Sequence, residues 1–154
     1  MNYHDIVTND MANGEGLRVT LFVSGCEHHC PGCQNPVTWD PNDGLLFDDA
    51  AKAEIEDYLS KPYAAGITFS GGDPFAPYNR KEVCDYIIHL KARFPQKTVW
   101  VYTGYVYEDL QKEPFFQEIF PLIDVLVEGP FIEEKKDIAY KWAGSTNQRV
   151  IRHF

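Results

Sequence analysis

Leu21-Phe22-Val23-Ser24-Gly25-Cys26-Glu27-His28-His29-Cys30-Pro31-Gly32-Cys33 passes directly from an apolar run into three closely spaced cysteines. The run Leu17 to Val23 reads as a buried strand, so the cysteines lie in the loop at its carboxyl end. Gly25 and Gly32 supply the backbone freedom that a tight wrap needs. Three thiolates are an odd number. A closed zinc site takes four protein ligands, whereas a [4Fe–4S] cluster held by Cys26, Cys30 and Cys33 has one iron open to a substrate. A Cys3His zinc site drawing on His28 or His29, or a set of structural or redox thiols, stands as the alternative. A loop that curves around a metal turns neighbouring side chains away from it, so solvent-facing or packing roles are expected of both histidines. Cys84 is remote in sequence, falls near the apolar stripe of a helix, and reads as a buried structural cysteine.

Outward from this loop, strands and helices alternate. Asp48 to Ser60 has an acidic start and is closed by Pro62, the pattern of a helix. Ile67-Thr68-Phe69 forms a second strand. Asn79, with Glu82 three residues on, predicts a capping box that opens a helix through Phe94, its apolar stripe being Val83, Ile87, Leu90 and Phe94. Thr98 to Tyr102 is a third strand, Glu108 to Phe120 a helix broken at Pro114, and Ile123 to Val127 a fourth strand. Four short strands joined by helical crossovers predict an α/β fold with a mainly parallel sheet and outer helices. A closed eight-stranded barrel needs about 250 residues, so 154 residues predict an incomplete (βα) barrel in one domain, 1–154, with a side left open.

The chemistry-bearing motifs all fall at the carboxyl ends of those strands, where such sheets bind ligands. Ser70-Gly71-Gly72-Asp73-Pro74 follows the second strand, Thr103-Gly104-Tyr105 the third and Glu128-Gly129-Pro130 the fourth. Paired glycines there bring main chain against a polar ligand unshielded by side chains. Asn13-Gly14-Glu15-Gly16 precedes a strand and not a helix, so it reads as a turn and not a phosphate loop.

Charge narrows the partners. The net charge is −9, and residues 1–60 carry two basic and eleven acidic side chains against twelve of each in the remainder. A nucleic-acid binder needs clustered Lys and Arg, so none is expected as partner. The polar amino terminus lacks a signal-peptide plan, and no apolar run approaches the roughly 20 residues of a membrane span. Cytoplasmic location and no membrane partner are the expectation, and the tight cysteine cluster suits a reduced compartment.

The Cys26, Cys30, Cys33 spacing resembles the CxxxCxxC signature of the radical S-adenosylmethionine (SAM) enzymes, and Ser70 to Pro74 resembles their Gly-Gly-Glu-Pro segment, with Asp73 in place of Glu. That resemblance implies SAM as a second cofactor, its amino group received by Gly71, Gly72 and Asp73. Many members place an aromatic residue where this chain has Gly32, which leaves the backbone of Gly32, Cys33 and Gln34 as the implied adenine contact. Asn13-Gly14 before Arg18, Thr38-Trp39, Trp100 with Thr103-Gly104-Tyr105, and Gly144-Ser145 with Asn147-Gln148-Arg149 extend the match over the whole chain. Together they resemble the family of anaerobic ribonucleoside-triphosphate reductase activating proteins, with Glu15 where Pro is common and Glu128 where Asp is common.

The family resemblance implies an activase that cleaves SAM reductively and makes a glycyl radical on the large subunit of the reductase. A reduced flavodoxin or ferredoxin-like protein would supply electrons, and no catalytic side chain beyond the cluster ligands is required. An activase of another glycyl-radical enzyme, such as pyruvate formate-lyase, would share this cofactor chemistry. A non-catalytic iron–sulfur or zinc interaction module is the rival from another class, and the paired glycine loops favour the enzyme.

Overall fold

Alternation of side chains between two faces governs the computed structural model, which describes residues 1–33, 36 and 39–152. The chain runs β1 (Asn2–Asp10), β2 (Arg18–Val23), β3 (Leu45–Leu46), α1 (Asp49–Leu59), β4 (Gly66–Gly71), α2 (Arg80–Arg93), β5 (Thr98–Thr103), α3 (Tyr107–Gln111), β6 (Val125–Glu128) and β7 (Arg149–Arg152). These strands form one seven-stranded sheet in the order β3-β1-β2-β4-β5-β6-β7. β2, β4, β5 and β6 are parallel neighbours. The expected alternation of strand and helix is therefore present at the centre, and Pro114 breaks the segment after α3 into short 3-10 turns as expected.

The flanks correct the reading of the sheet. β1 pairs antiparallel with both β2 and β3, and β7 pairs antiparallel with β6, so the sheet is mixed and mostly parallel. Its order ends at β3 on one side and β7 on the other, and it is not closed. β1 is too polar to announce itself: its side chains are mainly half-buried or exposed, and its ladder with β2 holds it in place.

One face of the central strands presents Val19, Leu21, Val23, Ile67, Phe69, Val99, Val101 and Leu126 to Ile55 and Leu59 of α1 and to Val83, Ile87 and Leu90 of α2, as one buried core. Cys84 belongs to this core, where burial pushes its thiol up to about 12. The period of two turns Arg18, Thr20, Thr68, Trp100 and Tyr102 to the other face. There Trp100, Val125 and Val127 meet Trp142 and Ala143 in a smaller cluster. Arg18, almost completely buried, donates Nε to Thr68 Oγ1 (2.9 Å) and Nη2 to the carbonyls of Ile67 (2.8 Å) and Thr98 (2.9 Å). Thr68 in turn donates to the Asn13 carbonyl (2.9 Å), which fixes the Asn13-to-Gly16 turn between β1 and β2.

Helix starts differ in how they are satisfied. Asp48 caps α1 by accepting the Ala51 N–H at 3.0 Å. Asn79 stands at the start of α2 without making a cap bond, contrary to the expected capping box. Its buried Nδ2 donates to the carbonyls of Ser24 (2.9 Å) and Asp73 (3.2 Å), while Glu82 accepts from the Met1 amino group (2.7 Å). Tertiary acceptors have outcompeted the local motif for both side chains.

Candidate functional site

Because β2, β4, β5 and β6 are parallel, the four motif loops emerge along one edge of the sheet. The cysteine loop and the Gly71-Gly72 loop are direct neighbours there. Gly72 N–H donates to the Val23 carbonyl (2.8 Å) and Asp73 N–H to the Gly25 carbonyl (2.7 Å), continuing the β2–β4 ladder past its end. Gly71 has φ +100°, and a Cβ there would lie 2.7 Å from the backbone of Val23, so only glycine lets the two loops approach this closely.

Asp73 organises the edge. Its carboxylate is fully buried, with Oδ1 accepting from Phe75 N–H (2.9 Å) and Thr103 Oγ1 (2.7 Å), and Oδ2 from Gly104 N–H (2.9 Å) and His28 Nε2 (2.8 Å). A carboxylate offers about four acceptor positions, and the chain itself takes them all. What faces outward from this loop is the main chain of the paired glycines, both half-buried. The hydrogen bond to Asp73 raises the His28 pKa above its ordinary value, against the opposing effect of burial.

Cys26, Cys30 and Cys33 are half-buried thiols on one loop, outside any disulfide. Burial pushes Cys26 up to about 11, opposed by hydrogen bonds from the backbone N–H groups of His28 and His29. Two features of this loop fit an iron–sulfur cluster. Backbone amides are already aimed at a sulfur, as they are around cluster thiolates. The buried indole N–H of Trp39 has no partner among the described residues, and Trp39 lines a cavity of about 480 Å³ together with Cys26, His29 and Tyr78. The three cysteines would hold the cluster here. Ligand atoms of Cys26, His28 and Asp73 also come within 4.8 Å of one another, but the filled acceptor positions of Asp73 make that set a poor mononuclear site.

The residues expected at SAM are distributed as follows. Gly71, Gly72 and Asp73 share the loop just described. Gly32 is exposed with φ +75°, and the space its Cβ would take holds the Glu133 carboxyl group. Cys33 N–H donates to the Cys30 carbonyl (3.0 Å), and Gln34, like Thr38, lies outside the described residues. Beside the end of β4, a second cavity of about 300 Å³ is lined by Asn13, Ser70, Tyr102, Trp142 and Gln148 among others.

The Gly144 to Arg149 pattern closes this side. Gln148 accepts from the N–H groups of Gly144 (2.8 Å) and Ser145 (3.0 Å) and donates to the Gly129 carbonyl (2.9 Å). Arg149 bridges buried Glu128 (2.9 Å) and exposed Glu108 (2.9 Å). The motif is thus a clasp on the loop after β6.

Sequence reasoning missed the roles of three residues it had named, His28, Asn79 and Thr103. His29 fits the expectation, exposed and stacked on Trp39 at 4.5 Å. His28 turns inward instead, and Asn79 and Thr103 join it around Asp73. Nothing local marks these roles: His28 and Thr103 reach Asp73 from 45 and 30 positions away, and Asn79 ties the Asp73 carbonyl, six positions before it, to that of Ser24, 55 positions before it.

A family model described as a 4Fe-4S single cluster domain matches residues 12–151. Among curated relatives, the anaerobic ribonucleoside-triphosphate reductase-activating protein of Enterobacteria phage T4 is 42% identical over 150 residues, covering 97% of this chain and 93% of the relative. The protein so named from Haemophilus influenzae is 42% identical over 154 residues, covering 99% and 98%. That from Escherichia coli (strain K12) is 41% identical over 155 residues, covering 99% of each.

Proposed function

The chain belongs to the family of anaerobic ribonucleoside-triphosphate reductase-activating proteins, and from that premise we propose that it is a radical-SAM activase that makes a glycyl radical on its reductase. The observation that carries this reading is the juxtaposition of the three-cysteine loop and the Gly71-Gly72 loop on adjacent parallel strands, tied by the bonds from Gly72 to Val23 and from Asp73 to Gly25. One electron delivered through a [4Fe–4S] cluster to bound SAM would break the sulfur–C5′ bond, giving methionine and a 5′-deoxyadenosyl radical that takes hydrogen from a glycine of the partner.

The protein's share is placement and exclusion of water. Cys26, Cys30 and Cys33 hold the cluster, and the backbone at Gly71 and Gly72 receives the amino end of SAM. Asp73 keeps that loop in shape from beneath, and the main chain from Gly32 to Gln34 takes the adenine. No side chain needs to move a proton. The whole chain acts as one domain of the incomplete-barrel type, and the open flank between β3 and β7 is the side from which a partner loop enters. A reduced flavodoxin or ferredoxin-like protein is the electron source.

The test is to mix the cluster-loaded protein, SAM, a low-potential reductant and the large reductase subunit, and to follow electron paramagnetic resonance. A glycyl signal that requires all four and travels with the reductase on separation is the expected result. A signal on this chain alone, or none with the reductase and one with another glycyl-radical enzyme, overturns the assignment.

A further inference from the structure

Three loops of the site converge on a single imidazole. His28 comes from the cysteine loop, its Nε2 lies 2.8 Å from Oδ2 of Asp73 after β4, and the same Oδ2 accepts Gly104 N–H at 2.9 Å after β5. An ionised carboxylate only accepts, so Nε2 carries the shared proton. The ring packs edge-on against Tyr105 at 4.5 Å, and the Tyr105 hydroxyl returns to the cysteine loop by donating to Glu27 at 2.9 Å. Gly104 makes room for this: a Cβ there would come within 2.5 Å of the His28 ring. The His28 side chain is only 19% exposed and that of Asp73 1%, so the bond lies where water competes little.

We propose that His28 is a positioning residue whose bond to Asp73 locks the cysteine loop to the Gly71-Gly72 loop, setting the distance between the cluster and SAM. The inference rests on the proposed function for its cofactors. Three features make the imidazole suited to the task. It reaches across from one loop to the carboxylate that shapes the other. Its own backbone N–H is one of the two that point at Cys26 Sγ, so anchoring the ring also anchors a donor to a cluster ligand. Finally, Asp73 is immobilised by its three other donors, which gives the lock a fixed post. His28 touches neither SAM nor the reacting atoms in this role.

The experiment compares His28→Leu, which removes the bond, with His28→Gln, which keeps an N–H donor, in the full cluster-loaded chain. Hydrogen exchange of the 26–33 segment reads the lock without SAM. The SAM dissociation constant, and the change that SAM produces in the electron paramagnetic resonance spectrum of the reduced cluster, read its consequence. Loss of a buried charge-assisted hydrogen bond predicts SAM binding about ten-fold or more weaker in His28→Leu, with faster exchange and a blunted spectral response, while melting shows the fold intact. His28→Gln should restore most of all three. Loss of the cluster in His28→Leu but not His28→Gln supports the proposal equally.

Unchanged exchange and unchanged SAM affinity in His28→Leu overturn it, as does equal damage in both variants, which would make ring shape and not the bond the cause. If the wild-type protein binds no SAM, the proposed function fails, and the exchange comparison still decides the lock.

Discussion

The two faces of the central sheet solve the same problem by opposite means. Towards α1 and α2, Val19, Leu21, Val23, Ile67, Phe69, Val99, Val101 and Leu126 of β2, β4, β5 and β6 are apolar and buried. Towards the other face the same strands offer Arg18, Thr20, Thr68 and Tyr102, with Arg18 donating to Thr68, Thr68 to the Asn13 carbonyl and Thr20 to Asp10. Parallel sheets are ordinarily covered by helices on both faces. Here the first carries the main core, while the second combines a small cluster of Trp100, Val125 and Val127 with polar side chains and aromatic rings and is continuous with the site edge. Arg18 shows the cost of that arrangement: it is buried with neutral acceptors, and burial lowers its pKa to about 10.

The largest effects should come from the edge that both faces share. Replacing Cys26, Cys30 or Cys33 with Ala should abolish a stable cluster and all activation, measured as iron and sulfide per chain. Cys84→Ala, in the helix-covered core, should keep both. Loss of the cluster from a folded Cys84→Ala protein would break the division between a chemical edge and an inert core.

Stability separates the faces next. Phe69→Ala on the helix side should cost about 3–5 kcal/mol in chemical denaturation. Thr68→Val, beside it on the polar face, removes the acceptor for Arg18 and the donor to Asn13 while conserving volume. It should cost about 1–3 kcal/mol. No loss in Thr68→Val would show that packing and not hydrogen bonding carries the second face.

Gly72→Val sharpens the comparison at the edge itself. It should weaken SAM binding while iron content stays at the wild-type level, as read by SAM titration of the cluster-loaded variant. Gly71→Val, by contrast, should fail to fold well, because its Cβ would collide with the Val23 backbone.

The smallest effect concerns Asp10, at the rim of the polar face. Burial pushes its pKa up, but hydrogen bonds from Asn13, Thr20 and Ala12 prevail and hold it below the usual carboxylate range. A depressed folded-state pKa contributes stability above the unfolded value, about 3.9, and that contribution is lost as pH falls through the folded value. Asp10→Asn should therefore be about 1 kcal/mol less stable than wild type at pH 7, and the two unfolding curves should converge in acid. A gap that stays constant with pH would remove the charge from the account.

Short-range signals were enough for much of this molecule. Apolar runs at Leu17 to Val23, Ile67 to Phe69, Thr98 to Tyr102 and Ile123 to Val127, with breakers and helical segments between, specify parallel strands and crossovers, and hence a carboxyl edge where the cysteines and paired glycines fall. The spacing of Cys26, Cys30 and Cys33 is legible locally, because one short loop carries all three thiols of the proposed cluster site. Tertiary structure alone decided the rest. The polar strand β1 and the two-residue β3 exist only because neighbouring strands complete their hydrogen bonds, so no periodicity announces them. Asn79 and Glu82 have the letters of a capping box, yet more distant partners claimed both. The inward turn of His28 depends on Asp73, Thr103 and Gly104 arriving at one point from two other strands. A local pattern records what a residue can do with its neighbours in sequence, and only the closed sum of hydrogen bonds in the folded chain determines which partner it takes.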